Sequence, residues 1–289
     1  MWFKRILVAN RGEIALRVMR TCQELGIESV AVYSDPDREA PFVKFADWAY
    51  AIGGSTAAES YLQPEKIIAA AKATGAEAVH PGYGFLAENP DFASLCEREG
   101  LVFIGPRAET IAEMGSKTAA RKRMIAAGVP VVPGTEEEIT DPGAALQVAR
   151  EVGFPVMLKA AAGGGGKGMR VVEKEEDFRD SLEAAQRESQ SAFGSAAVYI
   201  EKYLEEPHHI EVQVLADTHG RVLHLYEREC SIQRRHQKVI EETPSPFITP
   251  ELRERICEAA VQAARGAGYV NAGTVEFLVD KHRNFYFLE

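Results

Sequence analysis

The stretch Ala160–Val172 reads AAAGGGGKGMRVV, with the glycine run Gly163–Gly166 and Lys167 set between two strand-like segments. Consecutive glycines let a backbone approach an anion closely and turn its N–H groups inward, and Lys167 adds a positive charge suited to triphosphate oxygens. Two familiar phosphate loops are excluded. Gly168, not Ser or Thr, follows Lys167, and a strand rather than a helix comes next, so the Walker pattern fails. The turn after the first strand reads Asn10-Arg11-Gly12-Glu13, without the dinucleotide fingerprint. A glycine-rich hairpin tip fits the same stretch. Lys159 favours the phosphate reading: it ends the apolar run Pro155–Leu158, where an unpaired charge is costly and a nucleotide phosphate or base nitrogen would relieve it.

Two further groups of residues suggest chemistry. A hairpin of strands 274–280 and 285–289 over the loop Lys281–Asn284 would set Asp280 opposite Phe285 and Glu276 opposite Glu289. Carboxylates so placed have Cβ atoms roughly 4.5–5.5 Å apart. With substrate phosphates they would suit Mg²⁺ (or Mn²⁺). A solvated acidic edge is the alternative, and a slip of one residue would destroy the pairing. The string SIQRRHQKVIEE clusters Arg234, Arg235, His236 and Lys238 beside Gln233, and strand alternation puts His236 and Lys238 on one face. That cluster reads as an anion site or a solvated edge strand. His208-His209 lacks the spacing of a zinc-protease helix, leaving His209 a lone candidate for ribose or phosphate. Lys117, after Gly115, would reach a phosphate from the start of a helix, where the dipole also favours anions.

The elements that must hold these residues fall into two styles. Through residue 104, apolar runs (Arg5–Ala9, Ser29–Tyr33, Trp48–Ile52, Ala78–His80, Val102–Ile104) alternate with helical segments at 12–25, 64–74 and 91–99. Such alternation predicts a parallel α/β domain of nucleotide type over residues 1–115. The first helix should bury a stripe of Ile14, Val18, Cys22 and Leu25, closed by Gly26. A helical connection covers 116–130. Residues 131–203 then form a small α/β segment around the glycine loop, with strands at 153–159, 170–172 and 198–202 and a charged helix near 175–188; it has the character of a lid. Residues 204–289 carry long strands (Ile210–Ala216, Val222–Arg228), a helix opened by Thr249 and Pro250, and the closing hairpin. The fold class is thus α/β followed by α+β. The final FYFLE is at full hydrophobic strength, and the sequence is expected to continue beyond it.

The 289 residues, 46% hydrophobic and 26% charged, suit two or three packed domains. A net charge of -10 argues against a nucleic-acid partner. Four scattered cysteines without a CxxC pair suggest no zinc ribbon or disulfide framework, and Cys22 reads as a core thiol. The basic N-terminus lacks the apolar length and cleavage site of a signal peptide, and no run approaches the roughly 20 residues that span a bilayer. A cytoplasmic or organelle-matrix location is expected.

A lysine-ended strand, a glycine hairpin and then EKYL (Glu201–Leu204) resemble the ATP-grasp fold. VANRGEIA (Val8–Ala15), HPGYGFLAEN (His80–Asn89), FIGP (Phe103–Pro106), MGSK (Met114–Lys117), HHIEVQVLAD (His208–Asp217) and ERECSIQRRHQKVIEE (Glu227–Glu242) resemble biotin carboxylase in particular, in order along the whole chain. The resemblance implies ATP- and bicarbonate-dependent carboxylation of biotin through carboxyphosphate, with a biotin carrier protein or domain and a carboxyltransferase as partners, and a homodimer when intact. It assigns Lys238 to bicarbonate and the charge developing towards the γ-phosphate. It assigns nucleotide binding to Lys117, Lys159, Gly164, Gly165, Gly166, Lys167, His209, Gln233 and His236, and adenine to backbone groups of Glu201, Lys202, Tyr203 and Leu204. Glu276 and Glu289 would hold the metal. His80 and Tyr83 are expected to shape a loop only. Further family residues would lie after Glu289, so these 289 residues alone are not expected to carboxylate biotin. Another carboxyphosphate-forming ligase, of the carbamoyl phosphate synthetase kind, or a non-catalytic nucleotide-binding module are the alternatives.

Overall fold

The computed structural model describes residues 3–135, 137, 139–160, 169–193, 196–234 and 237–289, without the side chains of Lys117, Ala160, Ala192 and Phe193. They group into two units: one holds the chain to Ser116 with Ala216–Arg221 and Gly268–Ala272, the other the rest.

The first unit is built on β1 (Arg5–Val8), α1 (Gly12–Glu24), β2 (Glu28–Tyr33), α2 (Pro41–Phe45), β3 (Trp48–Ala51), α3 (Pro64–Thr74), β4 (Ala78–His80), α4 (Pro90–Arg98), β5 (Val102–Phe103) and α5 (Ala108–Met114). Its strands form a parallel sheet in the order β3-β2-β1-β4-β5. Leu7 pairs with Val30 and Val8 with Ala31, so neighbouring residues go to opposite faces. Leu7 and Val30 pack with Ile67 and Phe92 of α3 and α4. Val8 and Ala31 pack with Met19 and Phe42 of α1 and α2. Burial on both faces explains why these strands read as unbroken apolar runs. The stripe of α1 is rotated from the expected one: Ala15, Met19 and Cys22 are buried, whereas Leu25 is 50% exposed.

The second unit is built on α6 (Lys117–Ala126), α7 (Pro142–Val152), β6 (Val156–Ala160), β7 (Met169–Val172), α8 (Phe178–Phe193), β8 (Val198–Lys202), β9 (His208–Ala216), β10 (Val222–Arg234), β11 (Gln237–Glu242), α9 (Pro250–Gly266), β12 (Asn271–Val279) and β13 (Phe285–Phe287), with the last residue of β9 and the first two of β12 counted in the first unit. Three strands in the order β7-β6-β8 form a small antiparallel sheet. Its core joins Val156, Leu158 and Ile200 to Ala149 of α7 and to Phe178 and Leu182 of α8. α7 is absent from the sequence expectation, although its signals are present: Asp141 caps it, accepting from the Ala144 amide at 2.7 Å, and Pro142 opens it.

The larger sheet runs β11-β10-β9-β12-β13. α9 covers one face. As expected, Thr249 caps it, accepting from the Leu252 amide at 3.3 Å. From the same helix Arg253 Nε donates to both oxygens of buried Glu227 on β10, at 2.8 and 2.9 Å, while Arg255 lies 5.4 Å from the ring centre of Phe285 on β13. Ile210, Val212 and Val214 of β9 are buried, with Glu211, Gln213 and Leu215 at the alternate positions. Among the described residues no helix is long and apolar enough to cross a membrane.

Candidate functional site

The face of the larger sheet opposite α9 carries a polar network. Glu211, buried on β9, takes Arg228 Nε of β10 on Oε1 and Lys238 Nζ of β11 on Oε2. Lys238 Nζ also donates to Glu276 Oε1 on β12. Gln233 sits directly across the ladder from Lys238, and its side-chain amide donates to the Cys230 carbonyl at 3.0 Å. Burial pushes the Glu211 carboxyl up, but hydrogen bonds and charges from Lys238 and Arg228 outweigh it and hold its pKa below the ordinary 4.5. Burial likewise disfavours the Lys238 ammonium, yet its bonds to Glu211 and Glu276 and their charges raise its pKa above the usual lysine range. Lys238 is therefore a fixed cation at neutral pH. Glu211, Cys230 and Glu241 bring ligand atoms within 4.8 Å of one another. However, Glu211 is already held by two cations, and the thiol, pushed up to about 12 by burial, stays protonated, so the trio is a poor metal site.

The closing hairpin departs from the expected register. Phe277 pairs with Phe287 and Val279 with Phe285, which sets Glu276 opposite Leu288 rather than Glu289. The cause is the turn: Asp280 pairs with Asn284, its amide donating to the Asn284 carbonyl at 2.9 Å, and its carboxylate accepts from the amides of His282 and Asn284, both at 2.8 Å. Past Phe287 the ladder bulges. The Glu276 amide donates to the Glu289 carbonyl at 2.7 Å while the Leu288 amide donates to the Glu276 carbonyl at 2.8 Å, so Leu288 and Glu289 together oppose Glu276. The two glutamates are neighbours by a bulge, not by simple pairing.

On the smaller sheet, Lys159 is not the unpaired charge the sequence suggested. Glu201 accepts from its Nζ. Met157 pairs with Glu201 and Lys159 with Tyr199, so Lys159 and Glu201 are diagonal neighbours on one face. The Lys202 side chain is committed elsewhere, donating to the Gly153 and Phe154 carbonyls beyond α7 at 2.8 and 2.9 Å. The amides of Lys202 and Tyr203 donate to Pro133 O at 2.7 Å and Pro155 O at 3.1 Å. Among the described residues that of Leu204 donates to none.

One segment edges both sheets. The Phe287 amide donates to Pro130 O at 2.7 Å, and Val131 bridges Phe287 while Gly134 bridges Glu201. A Cβ on Gly134 would lie 2.3 Å from the Ile200 carbonyl, so only glycine allows this approach. The strand carrying Glu201 and the hairpin carrying Glu276 are thus tied through residues 130–134.

A family model described as the biotin carboxylase N-terminal domain matches residues 2–111, and one described as the carbamoyl-phosphate synthase L chain, ATP binding domain, matches residues 116–289. The chain belongs to the biotin carboxylase family. It is 57% identical to biotin carboxylase 2 of Bacillus subtilis, covering 99% of this chain and 65% of that protein. It is also 57% identical to a pyruvate carboxylase subunit from Methanothermobacter thermautotrophicus, covering 99% of this chain and 58% of the relative. The chain therefore spans less than two thirds of either relative. A biotin carboxylase–ATP complex from Campylobacter jejuni superposes with a TM-score of 0.88 at 49% identity, over 100% of this chain and 65% of that one. The biotin carboxylase domain of Hydrogenobacter thermophilus 2-oxoglutarate carboxylase, solved with MgADP, ADP and bicarbonate, gives 0.86 at 50% identity, over 100% of this chain and 64% of that one. The mixed architecture of this family, a parallel α/β domain followed by an ATP-grasp fold, is the one expected from the sequence.

Of the expected site residues, the structure brings together Lys238, Gln233 and Glu276, and separately Lys159 and Glu201. Glu289 is adjacent to Glu276 through the bulge. The His209 amide donates to Ser231 Oγ at 2.9 Å on the larger sheet. Gly164, Gly165, Gly166, Lys167, His236 and the Lys117 side chain lie outside the described residues. His80 serves the loop as expected, its Nδ1 accepting from the Gly82 amide at 3.0 Å. Glu211 and Arg228 were missed. The signal for Glu211 was available: a carboxylate flanked by Ile210 and Val212 in a strand with alternating polarity.

Proposed function

We propose that the protein carries out the biotin carboxylase step of an acyl-CoA or keto-acid carboxylase. The observation that supports this best is Lys238, a lasting cation held between Glu211 and Glu276 on the face of the larger sheet opposite α9, with Gln233 across the ladder. In this reading bicarbonate oxygen attacks the γ-phosphorus of ATP. The bond to the β–γ bridging oxygen breaks, ADP leaves and carboxyphosphate forms. Lys238 neutralises charge on the attacking bicarbonate and the transferring phosphoryl group, so catalysis is positioning plus electrostatics. The carboxyl group then passes to the ureido nitrogen of biotin on a carrier protein or domain, releasing phosphate. A carboxyltransferase would use that carboxybiotin.

Nucleotide binding is assigned to the smaller sheet. Lys159, Gly164, Gly165, Gly166 and Lys167 would hold the phosphates as part of a lid spanning residues 131–203, while backbone groups of Glu201–Leu204 hold adenine. The Leu204 amide is the available donor there. Lys117, His209 and His236 are proposed as further nucleotide contacts. Glu276 and Glu289 would hold Mg²⁺. Their backbones are neighbours through the bulge, and hard carboxylate oxygens suit that ion, which would neutralise phosphate charge when bound. A carbamoyl phosphate synthetase-like ligase would use the same first half-reaction with ammonia as acceptor. The match of residues 2–111 to the biotin carboxylase N-terminal domain favours biotin. ATP cleavage by the protein at its full natural length should require bicarbonate and rise with free biotin. Stimulation by ammonia but not biotin would contradict the proposal.

A further inference from the structure

We infer that Arg228 is a positioning residue for Lys238, acting through Glu211; this rests on the proposed role of Lys238. Arg228 forks across the sheet. Its Nε meets Glu211 and its Nη1 donates to Gln213 Oε1 at 3.2 Å, both on β9. Gln213 in turn donates to the Gly273 carbonyl at 2.8 Å on β12, the strand of Glu276. One connected network therefore runs over the four adjacent strands β11, β10, β9 and β12, from Lys238 to Arg228, Glu211, Gln213 and Glu276. Glu241 adds a longer contact to Arg228, at 3.7 Å.

Charge balance gives Arg228 its function. Lys238 and Arg228 are the two cations shared by Glu211 and Glu276, with Glu241 a third, more distant carboxylate beside Arg228. Glu211 divides its two oxygens between the cations. Without Arg228 the buried Glu211 charge would have Lys238 alone, and a buried unpaired charge is expensive. Lys238 would be drawn from Glu276 towards Glu211, and the cluster would become more negative where an anion must enter. Arg228 so keeps Lys238 shared between the two carboxylates.

The test uses Arg228→Gln, Arg228→Lys and the charge-balanced double variant Arg228→Gln with Glu211→Gln, in the protein at full natural length. Arg228→Gln should raise KM for bicarbonate by about tenfold or more, the loss of one hydrogen bond to a charged group, with ATP affinity by equilibrium titration unchanged. Arg228→Lys should recover part of this, because it restores the charge without the fork. The double variant should fall short of the sum of the single effects. A crystal structure of Arg228→Gln should show Lys238 away from Glu276. Lys238 still bridging both carboxylates, or ATP and bicarbonate affinities falling together, would overturn the inference. A displaced Lys238 with unchanged bicarbonate KM would uphold the positioning and overturn instead the bicarbonate role of Lys238. If Arg228→Gln does not fold, Arg228→Lys carries both readouts.

Discussion

Lys238 and Lys159 show how differently two lysines of one chain are placed. Each is charge-paired, but Lys238 is shared by two carboxylates and Lys159 is held by one. The sequence could place Lys238 in a basic strand and Lys159 at a strand end. It could not supply their partners, because Glu211, Glu276 and Glu201 lie 27, 38 and 42 residues away. If Lys159 serves a nucleotide phosphate, its partner restrains it. Lys159→Met should weaken ATP binding by about tenfold, the scale of one charge-assisted hydrogen bond. Glu201→Gln, which leaves the cation unneutralised and the backbone proposed to hold adenine intact, should hold or tighten it. Equilibrium titration of both variants decides; weaker binding by Glu201→Gln would remove Lys159 from the phosphate site.

At the scale of elements, strands buried on two faces and the capped α9 were legible, since continuous apolar runs and the Thr249-Pro250 start are local signals. The hairpin register was not. It depends on whether Asp280 closes its turn with Asn284 or Phe285, and the Asp280 carboxylate caps that turn in a way no alternation pattern reports. α9 makes its own prediction through Arg253 and Glu227. Burial raises the Glu227 carboxyl, but Arg253 and the Ser245 amide outweigh it and hold its pKa below the ordinary 4.5. A carboxyl lowered in the folded state stabilises above its unfolded value, and that contribution disappears as pH falls through the folded one. Melting temperature should therefore drop on acidification below about pH 4.5, and less steeply in Glu227→Gln than in the parent. At neutral pH Glu227→Gln should cost about 3 kcal/mol, because it leaves Arg253 without its carboxylate. Thr249→Ala should cost about 1 kcal/mol by the same denaturation assay.

For the whole molecule, two units share one chain but not one style of sheet: the first is parallel and covered on both faces, the second is antiparallel with α9 on one face of its larger sheet. The charged network belongs to that larger sheet, and the Lys159–Glu201 pair belongs to the smaller. Nucleotide binding and phosphoryl transfer should then separate on mutation. Lys238→Gln in the protein at full natural length tests this most directly, with MgATP affinity and bicarbonate-dependent ATP cleavage measured on the same preparation. Affinity should stay within about threefold while cleavage falls by about a hundredfold or more, the loss typical of one group stabilising transition-state charge. Cleavage at the parent rate, or loss of MgATP binding in proportion to cleavage, would contradict the account.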